Sequence, residues 1–187
     1  MLKKDLRKKY LKKRFEINEL DIDIQSNEIL DILNSKFDFS NKTISLFLPI
    51  KSKHEINTFC FLNYFLNQNV KISIPKSIFE TFDIIHYEFE NLSQLQLNEY
   101  NIPEPTHGNV VNEMEFDIVF VPLLTIDRRG FRVGYGKGFY DRFLSKCKKE
   151  CLFIGLYLFE ELEEIEDLNE FDTPLHFCIT PTQILKF

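Results

Sequence analysis

No stretch of the chain approaches the ~18 apolar residues of a membrane-spanning helix. The basic N-terminus is followed by no apolar core of the kind a secretory signal carries. Neither membrane insertion nor secretion is therefore expected. Cysteine is scarce: Cys60, Cys147, Cys151 and Cys178 form no Cys-x-x-Cys pair, and four scattered histidines complete no zinc template. Reduced, structural thiols in a cytoplasmic protein are the expectation. An excess of positive charge is also missing. With 23 Lys+Arg against 29 Asp+Glu, a formal net charge of −6, the chain has no basic footprint for nucleic acid. Internal repeats and low-complexity linkers are absent too, so the 187 residues read as one domain over 1–187.

The charge is unevenly spread. Residues 1–14 hold eight Lys/Arg and one acid, Asp5, whereas residues 160–172 hold eight Asp/Glu and no base. A local basic patch is enough for a small polyanion, whatever the sign of the total. The acidic run reads as a solvated face. Hydrophobic residues make up 44% of the chain, 20 of them phenylalanine, enough for a sizeable core.

Periodicity predicts an amphipathic helix over 2–17 with a basic outer face and a second helix over 22–35. Strands follow at 44–49 and 70–75, each closed by a proline, with a helix over 57–68 between them. A strand is predicted at 82–89, a loop over the proline-rich 100–109, and the most apolar strand at 116–124. A helix over 138–149 and strands at 151–158 and 177–180 complete the set. Strands alternating with helices imply a Rossmann-like, three-layer α/β/α sandwich around a mainly parallel sheet.

Four of the six glycines, Gly130, Gly134, Gly136 and Gly138, fall within nine residues, between a buried strand and a helix. Ligands of open α/β sheets bind beyond the carboxyl ends of strands, at such turns. Glycine leaves backbone N–H groups uncovered, and several can converge on phosphate oxygens. The following helix adds a partial positive charge at its start. Arg132 supplies a planar fork of donors and Lys137 a mobile point charge. The spacing GxGxG is not the GxGxxG of dinucleotide folds, and no Ser/Thr follows the lysine as in a Walker A loop.

The run VPLLTIDRRGFRVGYGKGFYDRFL, residues 121–144, closely resembles the signature of the 5-formyltetrahydrofolate cyclo-ligase family. Three weaker segments fall in the family's order: Lys3-Lys4-Asp5-Leu6-Arg7, Glu55-Ile56-Asn57-Thr58 and Tyr100-Asn101-Ile102-Pro103-Glu104-Pro105. The resemblance implies ATP and 5-formyltetrahydrofolate as substrates and Mg²⁺ as cofactor; a monomer is the expectation. It implies that Lys3, Lys4, Asp5, Leu6 and Arg7 contact ATP, together with Arg132, Val133, Gly134, Tyr135, Gly136, Lys137, Gly138, Phe139 and Tyr140. Ile50, Glu55, Tyr100 and residues 135–139 (Tyr135, Gly136, Lys137, Gly138 and Phe139) would line the folate pocket, with Tyr100 stacking on the pterin. Asp141 would hold Mg²⁺, and Arg132 and Lys137 would be catalytic. One departure stands out: His176, in the run Asp172-Thr-Pro-Leu-His176, occupies the place of a second metal-associated aspartate. Mg²⁺ prefers oxygen ligands, so Asp172 or water serves instead, or the metal relies on Asp141 and the phosphates.

The implied reaction phosphorylates a formyl oxygen and then closes a ring. Positioning and charge stabilisation suffice for it, and no Ser-His-Asp or Cys-His set is found. His54, His86 and His107 read as structural or solvated. Two rivals stand beside this reading: a different ATP-dependent small-molecule ligase, and a non-catalytic nucleotide- or folate-binding member of the same fold.

Overall fold

Two periods, one near 3.6 residues and one of two, alternate along the chain, and each becomes a layer of the fold. The computed structural model describes residues 1–187. Its helices are α1 (Lys3–Phe15), α2 (Glu19–Asn34), α3 (Phe59–Leu66) and α4 (Phe139–Leu144). Its first strands are β1 (Thr43–Ser45), β2 (Lys71–Ile78), β3 (Asp83–Glu88), β4 (Leu95–Leu97), β5 (Pro103–Pro105) and β6 (Val110–Val111). They are followed by β7 (Ile118–Pro122), β8 (Thr125–Ile126), β9 (Arg132–Val133), β10 (Leu152–Leu156), β11 (Phe177–Ile179) and β12 (Ile184–Lys186).

The main sheet has the order β12-β11-β10-β7-β1-β2-β3-β6. Its five central strands, β11, β10, β7, β1 and β2, are parallel, while β12, β3 and β6 are antiparallel to their neighbours. Side chains alternate between the two faces along each strand. In β7, Ile118 and Phe120 enter a core with Ile29 and Leu33 of α2 and Phe61 and Phe65 of α3. Val119 and Val121 enter the opposite core with Leu6 and Tyr10 of α1 and Phe143 and Leu144 of α4. The result is the expected three-layer α/β/α sandwich around a mainly parallel sheet. The phenylalanine excess fills the first core: the ring of Phe120 lies 6.2 Å from those of Phe39 and Phe61 and 5.8 Å from that of Phe65.

Several boundaries differ from the sequence expectation. The strand predicted at 44–49 pairs only over Thr43–Ser45; Leu46 still donates its N–H to Ser73, and the chain then leaves the ladder, still buried. Pro75 does not end its strand, because β1 stops opposite Ser73 and leaves the β1-facing edge of β2 free from there on. The loop predicted at 100–109 contains β5, which pairs with β4 in a separate ribbon. The strand β12 is only three residues long, too short for a periodic pattern to stand out in the sequence. The helix predicted at 138–149 is only six residues long, because its last turn tightens through Lys146 N to Phe143 O and Cys147 N to Leu144 O.

The acidic run is largely exposed, as expected, but it is not free. It pairs with the basic helix: Lys3 with Asp172, Lys9 with Glu163 and Lys13 with Glu161, each at 2.5 Å, while Tyr10 donates to Glu163 at 2.7 Å. The Lys9 and Lys13 pairs are partly exposed and worth at most about 1 kcal/mol each. Lys3 and Asp172, with side chains 11% and 13% exposed, are screened far less. The four cysteines are free thiols. No helix is long and apolar enough to cross a membrane.

Strands β2 and β3 lie on one side of β1, and β7, β10 and β11 on the other. The winding therefore reverses between β1 and β7, and a crevice opens beyond their carboxyl ends at such a point.

Candidate active site

A cavity of about 530 Å³ occupies that crevice. Residues following β1 (Phe47, Leu48, Ile50, Ser52, Lys53 and Glu55), Pro122 at the end of β7, and the glycine-rich turn after β9 line it. Of the residues expected to bind ATP, Lys3, Arg7, Arg132, Gly134, Tyr135, Gly136, Lys137, Gly138, Phe139 and Tyr140 all line this one cavity. So do Ile50, Glu55 and Tyr100, expected at the folate, and Asp141, expected at the metal.

Four of the residues expected at ATP, Lys4, Asp5, Leu6 and Val133, do not line the cavity. Lys3 and Arg7 stand one helical turn apart, so they share a face of α1 that Lys4 and Asp5 do not. Lys4 and Asp5 are exposed outside the cavity, and Leu6 points into the core with no exposure. Val133 is likewise fully buried, paired with Thr125 across the short ribbon of β8 and β9. In both segments the main chain passes the site while these side chains turn away from it.

The glycine turn is strapped to α1. Arg7 Nε donates to Gly134 O at 2.9 Å. Gly136 has φ +90°, and a Cβ there would come within 2.8 Å of Arg7 Cζ, so only glycine fits. A Cβ on Gly134 would meet nothing within 4 Å, so packing does not require that glycine. The six residues of α4 give its first turn little macrodipole, and side-chain cations supply the positive charge instead.

Two of those cations are held by carboxylates. Arg132, with its side chain 5% exposed, donates to Asp141 Oδ1 at 2.9 Å and to Thr173 O at 2.8 Å. Burial draws its pKa below the ordinary value, and Asp141 opposes that shift. Lys3 is paired with Asp172, which also lines the cavity. Lys137 has no carboxylate partner, and its Nζ rests 5.8 Å from the Phe82 ring.

Glu55 is 6% exposed. Its Oε1 accepts from the Tyr135 hydroxyl at 2.5 Å, and its Oε2 accepts from Ile50 N at 2.8 Å. Burial raises the Tyr135 and Tyr140 phenol pKa values well above the ordinary range, so both stay neutral. Tyr100 is half-exposed and lies against Phe79, ring centroids 4.3 Å apart. Phe79 in turn meets Phe139 edge-on at 5.4 Å. Phe79 was not legible in advance, since it stands in a hairpin turn without a motif. Glu104 was missed too, although it lies within the Pro-Glu-Pro run; it is 5% exposed, lines the cavity and accepts from Ser77 N and Asn98 Nδ2.

His176 is not at the site. Its Nδ1 accepts from Phe153 N at 2.9 Å while its own N–H reaches Phe153 O, so the side chain acts as part of the ladder beside β10. Four carboxylates line the cavity, and of these Asp141 and Asp172 stand beside the cations Arg132 and Lys3, where a divalent ion could meet a triphosphate. No cluster of three metal-ligating side chains exists anywhere in the chain. One or two carboxylates completed by phosphate oxygens and water is the usual Mg²⁺ arrangement, so these residues fit that ion.

Residues 1–181 match the model of the 5-formyltetrahydrofolate cyclo-ligase family. The 5-formyltetrahydrofolate cyclo-ligase of Mycoplasma genitalium is 30% identical over 181 residues, covering 94% of this chain and 97% of its own. That of Haemophilus influenzae is 30% identical over 139 residues, covering 72% and 73%. The solution structure of Aquifex aeolicus 5,10-methenyltetrahydrofolate synthetase superposes with a TM-score of 0.81 at 28% identity, over 100% of this chain and 93% of that one.

Proposed function

The chain belongs to the 5-formyltetrahydrofolate cyclo-ligase family, and on that footing we propose that it closes 5-formyltetrahydrofolate to 5,10-methenyltetrahydrofolate at the expense of ATP. One observation carries the reading. A single cavity gathers Lys3, Arg7, Arg132 and Lys137 together with a buried carboxylate, Glu55, and an aromatic wall of Phe79, Tyr100 and Phe139. The cations suit a triphosphate. The carboxylate and rings suit a flat heterocycle that carries paired N–H donors.

The N5 formamide is a poor electrophile, and oxide cannot leave from it. Its oxygen attacks the γ-phosphorus and ADP departs. N10 then bonds to the activated carbon and gives up its proton, and phosphate leaves with the former formyl oxygen. Arg132, already fixed by Asp141 and Thr173, offers a preset guanidinium to the transferred group. Lys137, with no carboxylate to release, is free to follow the moving charge. Backbone N–H groups of residues 134–138 complete the cradle, and the open space over Gly134 leaves room for a phosphate. Asp141 and Asp172 would hold a Mg²⁺ that neutralises part of the triphosphate charge. Glu55 would receive the pterin N–H groups, and Tyr100 would cover the ring.

The four free thiols support a reducing compartment such as the cytoplasm. Mixing the protein with ATP, Mg²⁺ and 5-formyltetrahydrofolate tests the reading: the near-ultraviolet absorbance of the methenyl product should rise and should depend on ATP. A flat trace at enzyme concentrations comparable to substrate would refute it.

A further inference from the structure

Arg14 belongs to no motif, yet the fold places it where three segments meet. It lies in the last turn of α1 and is 4% exposed. Its Nη2 donates to Leu123 O, just after β7. Its Nη1 donates to the Tyr135 hydroxyl at 3.2 Å and lies 3.6 Å from Glu55 Oε1. That oxygen is the one that accepts from Tyr135. The guanidinium Nε has no partner.

Burying a guanidinium is unfavourable, and an incompletely satisfied one more so. An apolar side chain would fill the same space at lower cost, so packing does not account for Arg14. Its bonds point to a different role. Glu55 follows β1, Tyr135 belongs to the glycine turn, and no ladder connects the two. A carboxylate on a connecting segment has several rotamers, and a phenol on a glycine-rich turn has more freedom still. Arg14 holds both through charge and geometry, and Leu123 O holds Arg14. Tyr135 then satisfies one lone pair of Glu55 Oε1, and Ile50 N one of Oε2. Each oxygen keeps acceptor capacity for a ligand.

We propose that Arg14 is a positioning residue for the heterocycle end of the substrate: it sets the Glu55 carboxylate and the Tyr135 phenol in the orientation that receives paired N–H donors. The proposal rests on the folate reading of the cavity. It extends that reading to a residue that need not touch either substrate.

Calorimetric titration with 5-formyltetrahydrofolate, and separately with ATP and Mg²⁺, tests it without turnover. Arg14→Met should weaken folate binding about tenfold or more while changing ATP binding less than about twofold, and Arg14→Lys should recover part of the loss. In a Glu55→Gln background, Arg14→Met should add less than about a further twofold, because the group it positions is already altered. Equal losses for both ligands, or an undiminished effect in the Glu55→Gln background, would overturn the proposal. Should Arg14→Met not fold, Arg14→Gln keeps a polar side chain of similar reach in the same space and carries the same expectations. Wild-type protein that binds no 5-formyltetrahydrofolate would sink the folate reading and the proposal together. Wild-type protein that binds it, with Arg14→Met binding equally well, would sink the proposal alone.

Discussion

Asp141 Oδ1 sits 2.9 Å from the Arg132 guanidinium, so the carboxylate assigned to the metal also fixes the cation assigned to the phosphate. One side chain thereby couples two parts of the site, and its loss should appear in two measurements.

Asp141→Asn should raise the Mg²⁺ concentration for half-maximal rate about tenfold or more, the scale of losing a metal-site contact. It should also lower stability by about 1–3 kcal/mol, because a buried guanidinium loses its charged partner. Metal titration of the rate and a denaturant melt check the two halves. An unchanged metal dependence removes Asp141 as a ligand.

Lys137→Ala should cut kcat by about 10²- to 10³-fold, the range for losing one donor to transition-state charge. Its melting temperature should stay within a degree or two, since Lys137 makes no ion pair and lies on the surface. Near-normal kcat would end its catalytic assignment.

Gly134 and Gly136 should separate binding from folding. Gly136→Ala forces a side chain into positive φ and against Arg7, and should cost roughly 1–3 kcal/mol of stability. Gly134→Ala meets no protein atom, so stability should hold while KM for ATP rises. Thermal melts beside steady-state kinetics on the two variants give the comparison; a normal KM for Gly134→Ala would mean that no ligand approaches there.

His86 predicts a pH dependence. Its Nε2 is 2.7 Å from Ser45 Oγ, its Nδ1 has no partner, and burial lowers its pKa from 6.5 to about 3. Between those values the unfolded chain binds a proton that the folded chain does not. Its contribution to stability is therefore complete above 6.5 and is lost as pH falls toward 3, at about 1 kcal/mol per pH unit. Burial also lowers the pKa of His176, which adds in the same sense. Denaturant melts from pH 7 to 4 should show a shallower decline for His86→Gln than for the wild type. Parallel curves would show that His86 does not govern the acid limb.

Strands with long apolar runs and helices with clean faces were legible, because burial on a known period leaves a mark in the sequence. The glycine turn was legible for a different reason: residues 134–138 put backbone freedom and two charges in one place. What escaped depends on tertiary partners. Arg14 stands four residues after Tyr10 and eight after Leu6, on the face that α1 buries, so helical spacing alone could have set it apart from Lys4; what the spacing could not give is its partners. Glu104 and Phe79 work through neighbours brought by other segments. The resemblance named residues 3–7 as a block, and helix geometry then sorted Lys3 and Arg7 from Asp5 and Leu6. The pairing of the acidic run escaped because its countercharges lie more than a hundred residues away.

That distance has a consequence for biosynthesis. Lys3 bonds to Asp172 across 169 positions, and its backbone N–H reaches Asp167. A ribosome delivers the first helix long before its acidic clasp exists. The ionic clasp on the helix carrying Lys3, Arg7 and Arg14 therefore closes only after residues 160–172 have emerged, and a prematurely terminated polypeptide ending before them should lack the pairs of Lys3, Lys9 and Lys13.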